Sequence, residues 1–239
     1  MRQARRLTVL TGAGVSAESG VPTFREARTG LWAKYRPEDL ATPEAFQRNP
    51  KLVWEWYALR RQRVSVVAPN AGHRALVEFE GRVAVFTLIT QNVDGLHQRA
   101  GSRRVLELHG NLTRTKCSRE DRLVESWPET AEIPPRCPRC GGWLRPDVVW
   151  FGEALPGVTL AAATQASRAC DLFISVGTST VVQPAASLPY EALRHGAMVV
   201  EVNPNGTPLS GEANYRLPGL SGEVLPALLG AAFGPSAGP

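Results

Sequence analysis

The chain has 239 residues, 43% of them hydrophobic, and a formal net charge of +5 at pH 7. This length allows one large domain, or one with a small insertion, to bury a substantial core, and four cysteines are too few for a disulfide framework. The charge comes from 24 arginines against three lysines. They are scattered without interleaved aromatic residues, which favours solvated faces or a phosphate-rich ligand over a nucleic-acid surface. No run approaches about 18 apolar residues and a strand begins by Leu7, so we expect no membrane span, no signal peptide and a cytoplasmic location.

Five apolar segments are typical of buried parallel strands, and each ends in a polar or glycine-rich turn. Ligands of an open α/β sheet bind beyond the carboxyl ends of its strands, so these turns indicate one shared cleft. We therefore predict an α/β fold with a Rossmann-like open parallel sheet, helices on both faces and a small zinc-ribbon-like insertion. The predicted strands are 7–11, 83–90, 105–108, 171–177 and 198–203.

The first predicted strand, 7–11, is followed directly by the motif Gly-Ala-Gly-Val-Ser-Ala at 12–17. When such a glycine turn connects a strand to the start of a helix, the backbone N–H groups of the turn can bind a pyrophosphate. The alternative is a glycine turn that occurs here by chance. A hydride-transfer enzyme would also show an acidic residue about 20 positions later, at the end of a second strand. The interval 27–35 has no strand pattern and no carboxylate. The sequence therefore indicates that a bound dinucleotide serves another reaction.

Helical patterns lie between the strands. Asn49 and Pro50 supply an N-cap and a first-turn proline for a helix that extends to about residue 64. Further candidate helices are 71–80, 157–169 and 185–195. The resulting division assigns 1–114 and 146–229 to a dinucleotide-binding domain, 115–145 to a small cysteine-containing module and 230–239 to a flexible C-terminal tail.

The module carries two cysteines, Cys137 and Cys140, in a glycine-containing turn that can grip one tetrahedral ion. Cys117 precedes this pair at a ribbon-like spacing. A four-cysteine site would have a cysteine at position 120, where the chain has Glu120, whose carboxylate is a possible fourth ligand. The alternative is a degenerate site without metal. Cys170, which precedes a buried strand, is typical of a core cysteine.

Together these motifs resemble the sirtuins, a family of NAD-dependent protein lysine deacylases, over about residues 5–229, and a bacterial member is expected. Tyr57 and Arg60, together with Ala41, further resemble the class III, desuccinylase-type branch, although Arg60 could also belong to a solvated helix face. The departure from the family pattern is Glu120. The motifs are the glycine turn extended to 12–25, Thr-Gln-Asn-Val-Asp-Gly-Leu-His at 90–97, His-Gly at 109–110, the cysteine insertion, Val-Trp-Phe-Gly-Glu at 149–153, Gly-Thr-Ser at 177–179 and Val-Asn at 202–203.

The resemblance implies that the acyl oxygen of a modified lysine attacks C1′ of the nicotinamide ribose, and that the acyl group is transferred to ADP-ribose. It assigns His109 as general base on a ribose hydroxyl, a task that suits imidazole, and Asn92 as the residue that holds that hydroxyl or a water. A histidine that only caps a strand end is the alternative. Asp94 would face the nicotinamide carboxamide, and Phe24 would cover the ribose, unless it merely packs in its loop. The expected NAD-binding set is Gly12, Ala13, Gly14, Ser16, Ala17, Glu18, Thr23, Phe24, Arg25, Trp32, Gln91, Asn92, Val93, Asp94, Gly177, Thr178, Ser179, Asn203, Pro204, Asn205 and Ser221.

The resemblance also implies that the segment 149–153 pairs with an acylated-lysine peptide as an added strand, so that backbone hydrogen bonds supply most of the affinity. Two other hypotheses remain open: a mono-ADP-ribosyltransferase or NAD glycohydrolase on the same fold, and a non-catalytic NAD sensor. The target proteins, the oligomeric state and the balance between acetyl and succinyl removal are left open by the sequence. The expected substrate contacts are Ala41, Tyr57, Arg60, Val149, Phe151, Gly152 and Glu153.

Overall fold

A computed structural model describes residues 4–22, 36, 39–130 and 132–234. Its strands are β1 (Arg6–Thr11), β2 (Val85–Thr90), β3 (Val105–Glu107), β4 (Gly110–Cys117), β5 (Leu144–Val148), β6 (Leu172–Val176), β7 (Met198–Val202) and β8 (Tyr215–Leu217). Six of them form one sheet in the order β3-β2-β1-β6-β7-β8, in which every neighbouring pair is parallel. Strands β4 and β5 form a separate antiparallel pair.

The helices are α1 (Ala13–Ala17), α2 (Pro43–Arg48), α3 (Pro50–Val66), α4 (Ala71–Arg82), α5 (Leu96–Ala100), α6 (Gly157–Ala169), α7 (Leu188–Arg194) and α8 (Ser221–Phe233). Strand side chains alternate between the two faces of the sheet, so both faces carry apolar residues. In β1, Leu7 and Val9 join the core that α4 and α8 cover, whereas Leu10 joins the opposite core beneath α6 and α7. The predicted α/β fold with helices on both faces of a parallel sheet is therefore confirmed.

The strand order reverses direction at β1, with β2 and β3 on one side and β6, β7 and β8 on the other. Such a switch point opens a crevice beyond the carboxyl ends of the strands, because the connections leave in opposite directions. The turns after β1, β2, β3, β6 and β7 all lie along this edge. They are the polar turns that the sequence singled out.

The structure moves several predicted boundaries. Helix α4 extends to Arg82, so β2 begins at Val85 instead of residue 83. Strand β8, which is short and mostly exposed, and helix α8 had no predicted counterpart. Helix α8 reaches Phe233, whose ring lies 6.2 Å from that of Phe79, so the segment predicted as a flexible tail is helical from 230 to 233.

The cysteine insertion starts and ends inside the β4–β5 pair, where Thr115 lies opposite Pro146 and Cys117 opposite Leu144. A small apolar cluster of Cys117, Cys137 and Leu144 lies next to this pair. The proposed division into two domains stays a prediction. No helix in the described part of the chain is both long and apolar enough to cross a membrane, and the cytoplasmic location also stays a prediction.

Candidate active site

The glycine turn after β1 packs directly against the end of β6. The Gly12 N–H donates to the Val176 carbonyl at 3.0 Å, and the Gly14 N–H donates to the Gly177 carbonyl at 2.8 Å. A Cβ on Gly177 would come within 2.6 Å of the Val15 nitrogen, and the φ of +58° at Gly177 also favours glycine. Because these glycines have no side chain, the turn after β1 can approach the end of β6 this closely. Two of the N–H groups predicted to face a pyrophosphate are thus bound within the protein.

A buried cluster of Ser16, Asn92 and Asp94 lies beside this turn. The Asn92 side-chain amide donates to Ser16 Oγ at 3.1 Å, and the Ser16 hydroxyl also lowers the pKa of the neighbouring Asp94. The Leu96 N–H donates to Asp94 Oδ1 at 2.9 Å. Burial raises the pKa of Asp94, and the positive charges of Arg60 and Arg99 oppose this rise. Ser16 therefore orients the two residues that the resemblance assigns to the nicotinamide ribose and carboxamide.

Gln91, Thr178 and Asn203 meet across three different strand ends. The Gln91 side-chain amide donates to Thr178 Oγ1 at 2.8 Å, and that of Asn203 donates to the Thr178 carbonyl at 2.9 Å. The Asn205 N–H donates to Asn203 Oδ1 at 3.3 Å. The fold thus brings together predicted NAD contacts from positions 91, 178 and 203. Their amide and hydroxyl groups suit ribose hydroxyls, which both donate and accept hydrogen bonds.

His109 follows β3 with a fixed tautomer. Its Nδ1 lies 2.9 Å from the Gln91 carbonyl oxygen, which can only accept, so Nδ1 carries the proton of the neutral ring. Nε2 is then unprotonated, and no described residue forms a hydrogen bond with it. Burial lowers the pKa of His109, and the hydrogen bond to Gln91 opposes this shift. The ring therefore presents a basic nitrogen near neutral pH.

Several remaining predicted contacts lie at the rim of the cleft. Ser221, in the first turn of α8, donates its hydroxyl to Glu18 at 2.6 Å, and the Gly222 N–H also donates to that carboxylate. These bonds connect the end of α1 to α8. Ala13, Ala17, Ser179, Pro204 and Asn205 are exposed, and Val93 is half-buried. Thr23, Phe24, Arg25 and Trp32 lie outside the described residues.

The predicted acyl-binding residues lie together in one apolar cluster. Ala41, Tyr57 and Trp150 are all buried there. Tyr57 and Arg60 lie one turn apart on α3, and the Arg60 guanidinium carbon is 5.6 Å from the centre of the Tyr57 ring. The Phe151 N–H donates to the Ala41 carbonyl at 2.9 Å, which ties the segment 149–153 to this cluster. The predicted acyl and peptide contacts are therefore adjacent.

Two buried histidines, His73 and His97, lie behind Ser16, with ring centres 4.8 Å apart. The Asn70 N–H donates to His73 Nδ1, so the His73 proton is on Nε2, 3.5 Å from Ser16 Oγ. Burial lowers the pKa of His73 from 6.5 to about 4 and that of His97 to about 3, and His73 adds to the His97 shift. Both rings are therefore neutral at neutral pH. Neither histidine was predicted from the sequence to support the site from behind Ser16.

This pair predicts an acid-sensitive fold. Both histidine pKa values are lower in the folded protein than in the unfolded chain, so the unfolded state binds protons that the folded state excludes. This stability is complete above about pH 6.5 and decreases as the pH falls toward the folded values. We expect the free energy of unfolding to drop by about 1 kcal/mol per histidine between about pH 7 and about pH 5.5. Denaturant titrations across this range should give a shallower pH dependence for His97→Gln. Equal slopes for both proteins would contradict the prediction.

Three cysteines of the insertion converge on one point. The sulfur atoms of Cys117, Cys137 and Cys140 lie within 4.8 Å of one another. The backbone N–H groups of Cys140 and Arg139 point at the Cys137 sulfur and lower its pKa, which favours the metal-binding thiolate. Three converging thiolates suit structural zinc. Glu120 is not part of this group, since its carboxylate pairs with Arg139 at 3.5 Å, and its assignment as fourth ligand stays a prediction.

Zinc is expected at about one ion per chain in elemental analysis of the purified protein, because three thiolates already converge. Cys137→Ala should lose the ion and loosen the module, which has only a small apolar cluster of its own. Cys170→Ala is the matched control, since Cys170 is buried in the main core, where burial raises its pKa to about 11. Less than about 0.2 zinc per chain in the wild type would contradict the metal assignment.

Comparison with known proteins identifies the family. The model of the Sir2 family matches residues 12–184. The chain is 56% identical over 238 residues to NAD-dependent protein deacylase 1 of Pseudomonas aeruginosa, which covers 96% of this chain and 95% of that protein. This chain belongs to the Sir2 family. The resemblance to the sirtuins that the motifs indicated is thus confirmed.

Solved Sir2 structures share the fold. A Sir2 homologue in complex with NAD has a TM-score of 0.90 and 48% identity, and the match covers 97% of this chain and 90% of that one. A complex of Sir2 with a p53 peptide and NAD+ has a TM-score of 0.83 and 31% identity, covering 96% of this chain and 94% of the other.

Trp150 belongs to the acyl cluster but was not predicted from the sequence, although Val149 and Phe151 on either side of it were. The indole Nε1 of Trp150 donates to the Tyr57 hydroxyl at 3.0 Å. No local pattern reveals this bond, because the two residues are 93 positions apart. His73 left a weak signal, as the third residue after the N-cap Asn70, where a side chain can complete a capping box.

Proposed function

We propose that this member of the Sir2 family is an NAD-dependent protein lysine deacylase that transfers the acyl group of a modified lysine to ADP-ribose. The observation that carries the proposal is His109, whose Nδ1 is bound to the Gln91 carbonyl so that Nε2 is left basic. Asn92 and Asp94 lie in the same cleft, held by Ser16. Relatives named NAD-dependent protein deacylases and a Sir2 structure in complex with NAD support the same conclusion.

Bound NAD supplies the electrophilic C1′ carbon and nicotinamide as leaving group. The protein's task is to orient the reacting groups, move one proton and exclude water. Gln91, Asn203 and Thr178 would hold the cofactor, and the hydrogen bonds among them keep their side chains in place before it binds. His109 Nε2 would accept the proton of a ribose hydroxyl, which makes that oxygen nucleophilic. The Gln91 carbonyl stabilises the protonated ring that results.

The proposed substrate is a peptide that carries an acylated lysine and binds as an added strand along 149–153. A Sir2 complex with a p53 peptide supports peptide binding in this family. Backbone groups make most of the contacts in such recognition, so the chain should tolerate many target sequences. The Phe151 N–H already donates to the Ala41 carbonyl, which limits the groups of this segment that remain for a peptide.

We further propose that the enzyme removes succinyl and malonyl groups as well as acetyl. Arg60 offers a planar fork of donors that fits a carboxylate. Burial raises the pKa of Tyr57, against the opposing charge of Arg60, so the phenol keeps its proton and can donate it. Ala41 has a short side chain, which leaves room for a longer acyl group. Acetyl has no carboxylate and gains nothing from this pair.

The direct test is mass spectrometry of one peptide carrying acetyl- or succinyl-lysine, incubated with enzyme and NAD. Free lysine, nicotinamide and O-acyl-ADP-ribose should appear in equal amounts. Without NAD the peptide should remain unchanged. Transfer of ADP-ribose to protein, or free ADP-ribose with the acyl-lysine intact, would support the ADP-ribosyltransferase or glycohydrolase hypothesis and overturn the deacylase proposal.

A further inference from the structure

A buried chain of contacts connects the peptide-binding segment to Tyr57. At its centre, the indole Nε1 of Trp150 lies 3.0 Å from the Tyr57 hydroxyl oxygen. Only 3% of each residue is exposed. An indole N–H can only donate, so the tyrosine oxygen is the acceptor of this bond. The phenolic proton is therefore left to donate elsewhere, and no described residue accepts it.

Trp150 is held on several sides. The guanidinium carbon of Arg145 lies 3.3 Å from the centre of the indole ring, and Phe46 packs against the same ring with centres 5.2 Å apart. The backbone N–H of Trp150 donates to Glu153 Oε2 at 2.8 Å. Because these contacts hold the indole ring in one orientation, its Nε1–H stays directed at the Tyr57 hydroxyl oxygen.

Arg145 and Glu153, which both contact Trp150, form an ion pair with each other. Arg145 is 6% exposed and reaches both carboxylate oxygens of Glu153 through two different nitrogens. A third bond runs from Arg145 to the Val148 carbonyl at 2.8 Å. Burial alone would raise the pKa of Glu153, but the hydrogen bonds from Arg145 and Trp150 lower it overall. The pair is thus ionised, and its charges are compensated inside the protein.

We propose that Trp150 is a positioning residue for acyl specificity, which fixes the Tyr57 hydroxyl as a donor toward the carboxylate of an acyl group. This inference rests on the proposed role of Tyr57 and Arg60 in binding acidic acyl groups. Without the indole N–H, the phenol can rotate, and its proton loses its fixed direction. Because Glu153 and Arg145 hold Trp150, the segment that binds the peptide also sets the geometry of the acyl end.

The test is a double-mutant cycle of Trp150→Phe and Tyr57→Phe, with kcat and KM measured on one peptide in succinyl and acetyl forms. Phenylalanine keeps an aromatic ring at position 150 and removes the N–H. One neutral hydrogen bond is worth roughly threefold to tenfold in binding. Trp150→Phe should therefore lower the succinyl-to-acetyl ratio of kcat/KM by roughly that factor, mainly through the succinyl KM.

The second mutation separates positioning from a structural role. If Trp150 acts through Tyr57, adding Trp150→Phe to Tyr57→Phe should leave the ratio where Tyr57→Phe alone placed it. Additive effects on the ratio, or none from Trp150→Phe alone, would overturn the inference. The matched control is Trp54→Phe, in the same helix as Tyr57 but packed on Trp127, which should leave the ratio unchanged.

The same measurements distinguish failure of the proposed acyl specificity from failure of the inference about Trp150. If Tyr57→Phe and Arg60→Met both leave the succinyl-to-acetyl ratio unchanged, the acyl proposal fails and the inference falls with it. If those variants lower the ratio while Trp150→Phe does not, only the inference fails. Thermal unfolding of each variant shows whether it is folded. Should Trp150→Phe fail to fold, replacement of Trp150 by a tryptophan analogue whose ring lacks the N–H tests the same bond.

Discussion

His109→Ala is expected to lower kcat for deacylation by about 10²–10⁴-fold, the usual value of general-base assistance. The reason is geometric, because the Gln91 carbonyl holds Nδ1 and leaves Nε2 as a base beside the proposed ribose site. The fold and the Kd for NAD should change little, since His109 is only half-buried and the proposed cofactor contacts come from other residues. Single-turnover assays with an acetyl-lysine peptide, together with NAD titrations, measure both quantities.

The control for this experiment is His195→Ala, because His195 lies exposed at the end of α7. Exchange of labelled nicotinamide into NAD should survive His109→Ala better than net deacylation does, since cleavage of nicotinamide precedes the proposed proton transfer. A His109→Ala enzyme that turns over acyl-peptide at nearly the wild-type rate would overturn the general-base assignment. Loss of NAD binding in the variant would instead make His109 a residue that supports the fold.

The central strands could be predicted because they are buried on both faces. Strand β6 has no exposed residue, and in β1 only Arg6 is exposed, so both show as apolar runs in the sequence. Strand β8 lacks that signal, because its three residues are mostly exposed and it pairs only with β7. Short edge strands depend on a partner that is distant in sequence, so local patterns do not reveal them.

In the site, too, features set by local sequence could be predicted, whereas contacts between distant residues could not. The turns after the strands were predictable, because polar residues directly after an apolar run are a local pattern. The use of two glycine N–H groups by Val176 and Gly177 was not, since that contact depends on how β1 and β6 pair. Glu120 stands where a fourth cysteine would be expected, and its ion pair with Arg139 could not be predicted, because it depends on how the insertion folds.

Arg60→Met should weaken binding of a succinyl-lysine peptide by about 1.5–3 kcal/mol, the range for a hydrogen bond to a charged group. Tyr57 and Arg60 lie one helical turn apart on α3, where Tyr57 is buried and Arg60 is half-buried. Burial lowers the pKa of Arg60, while Tyr57 and Asp94 oppose this shift, and an arginine keeps its charge under such conditions. The guanidinium also lies 4.8 Å from the Trp56 ring, which helps to hold it in place.

The effect should be specific for acyl groups that carry a carboxylate. Deacetylation by Arg60→Met should change far less than desuccinylation, because methionine keeps much of the side-chain volume and acetyl offers no charge to bind. Arg63→Met, an exposed change on the same helix, is the matched control and should alter neither activity. Steady-state kinetics on one peptide in both acyl forms measure the difference. An equal loss on both substrates would mean that Arg60 stabilises the fold or the cofactor site and does not recognise the acyl group.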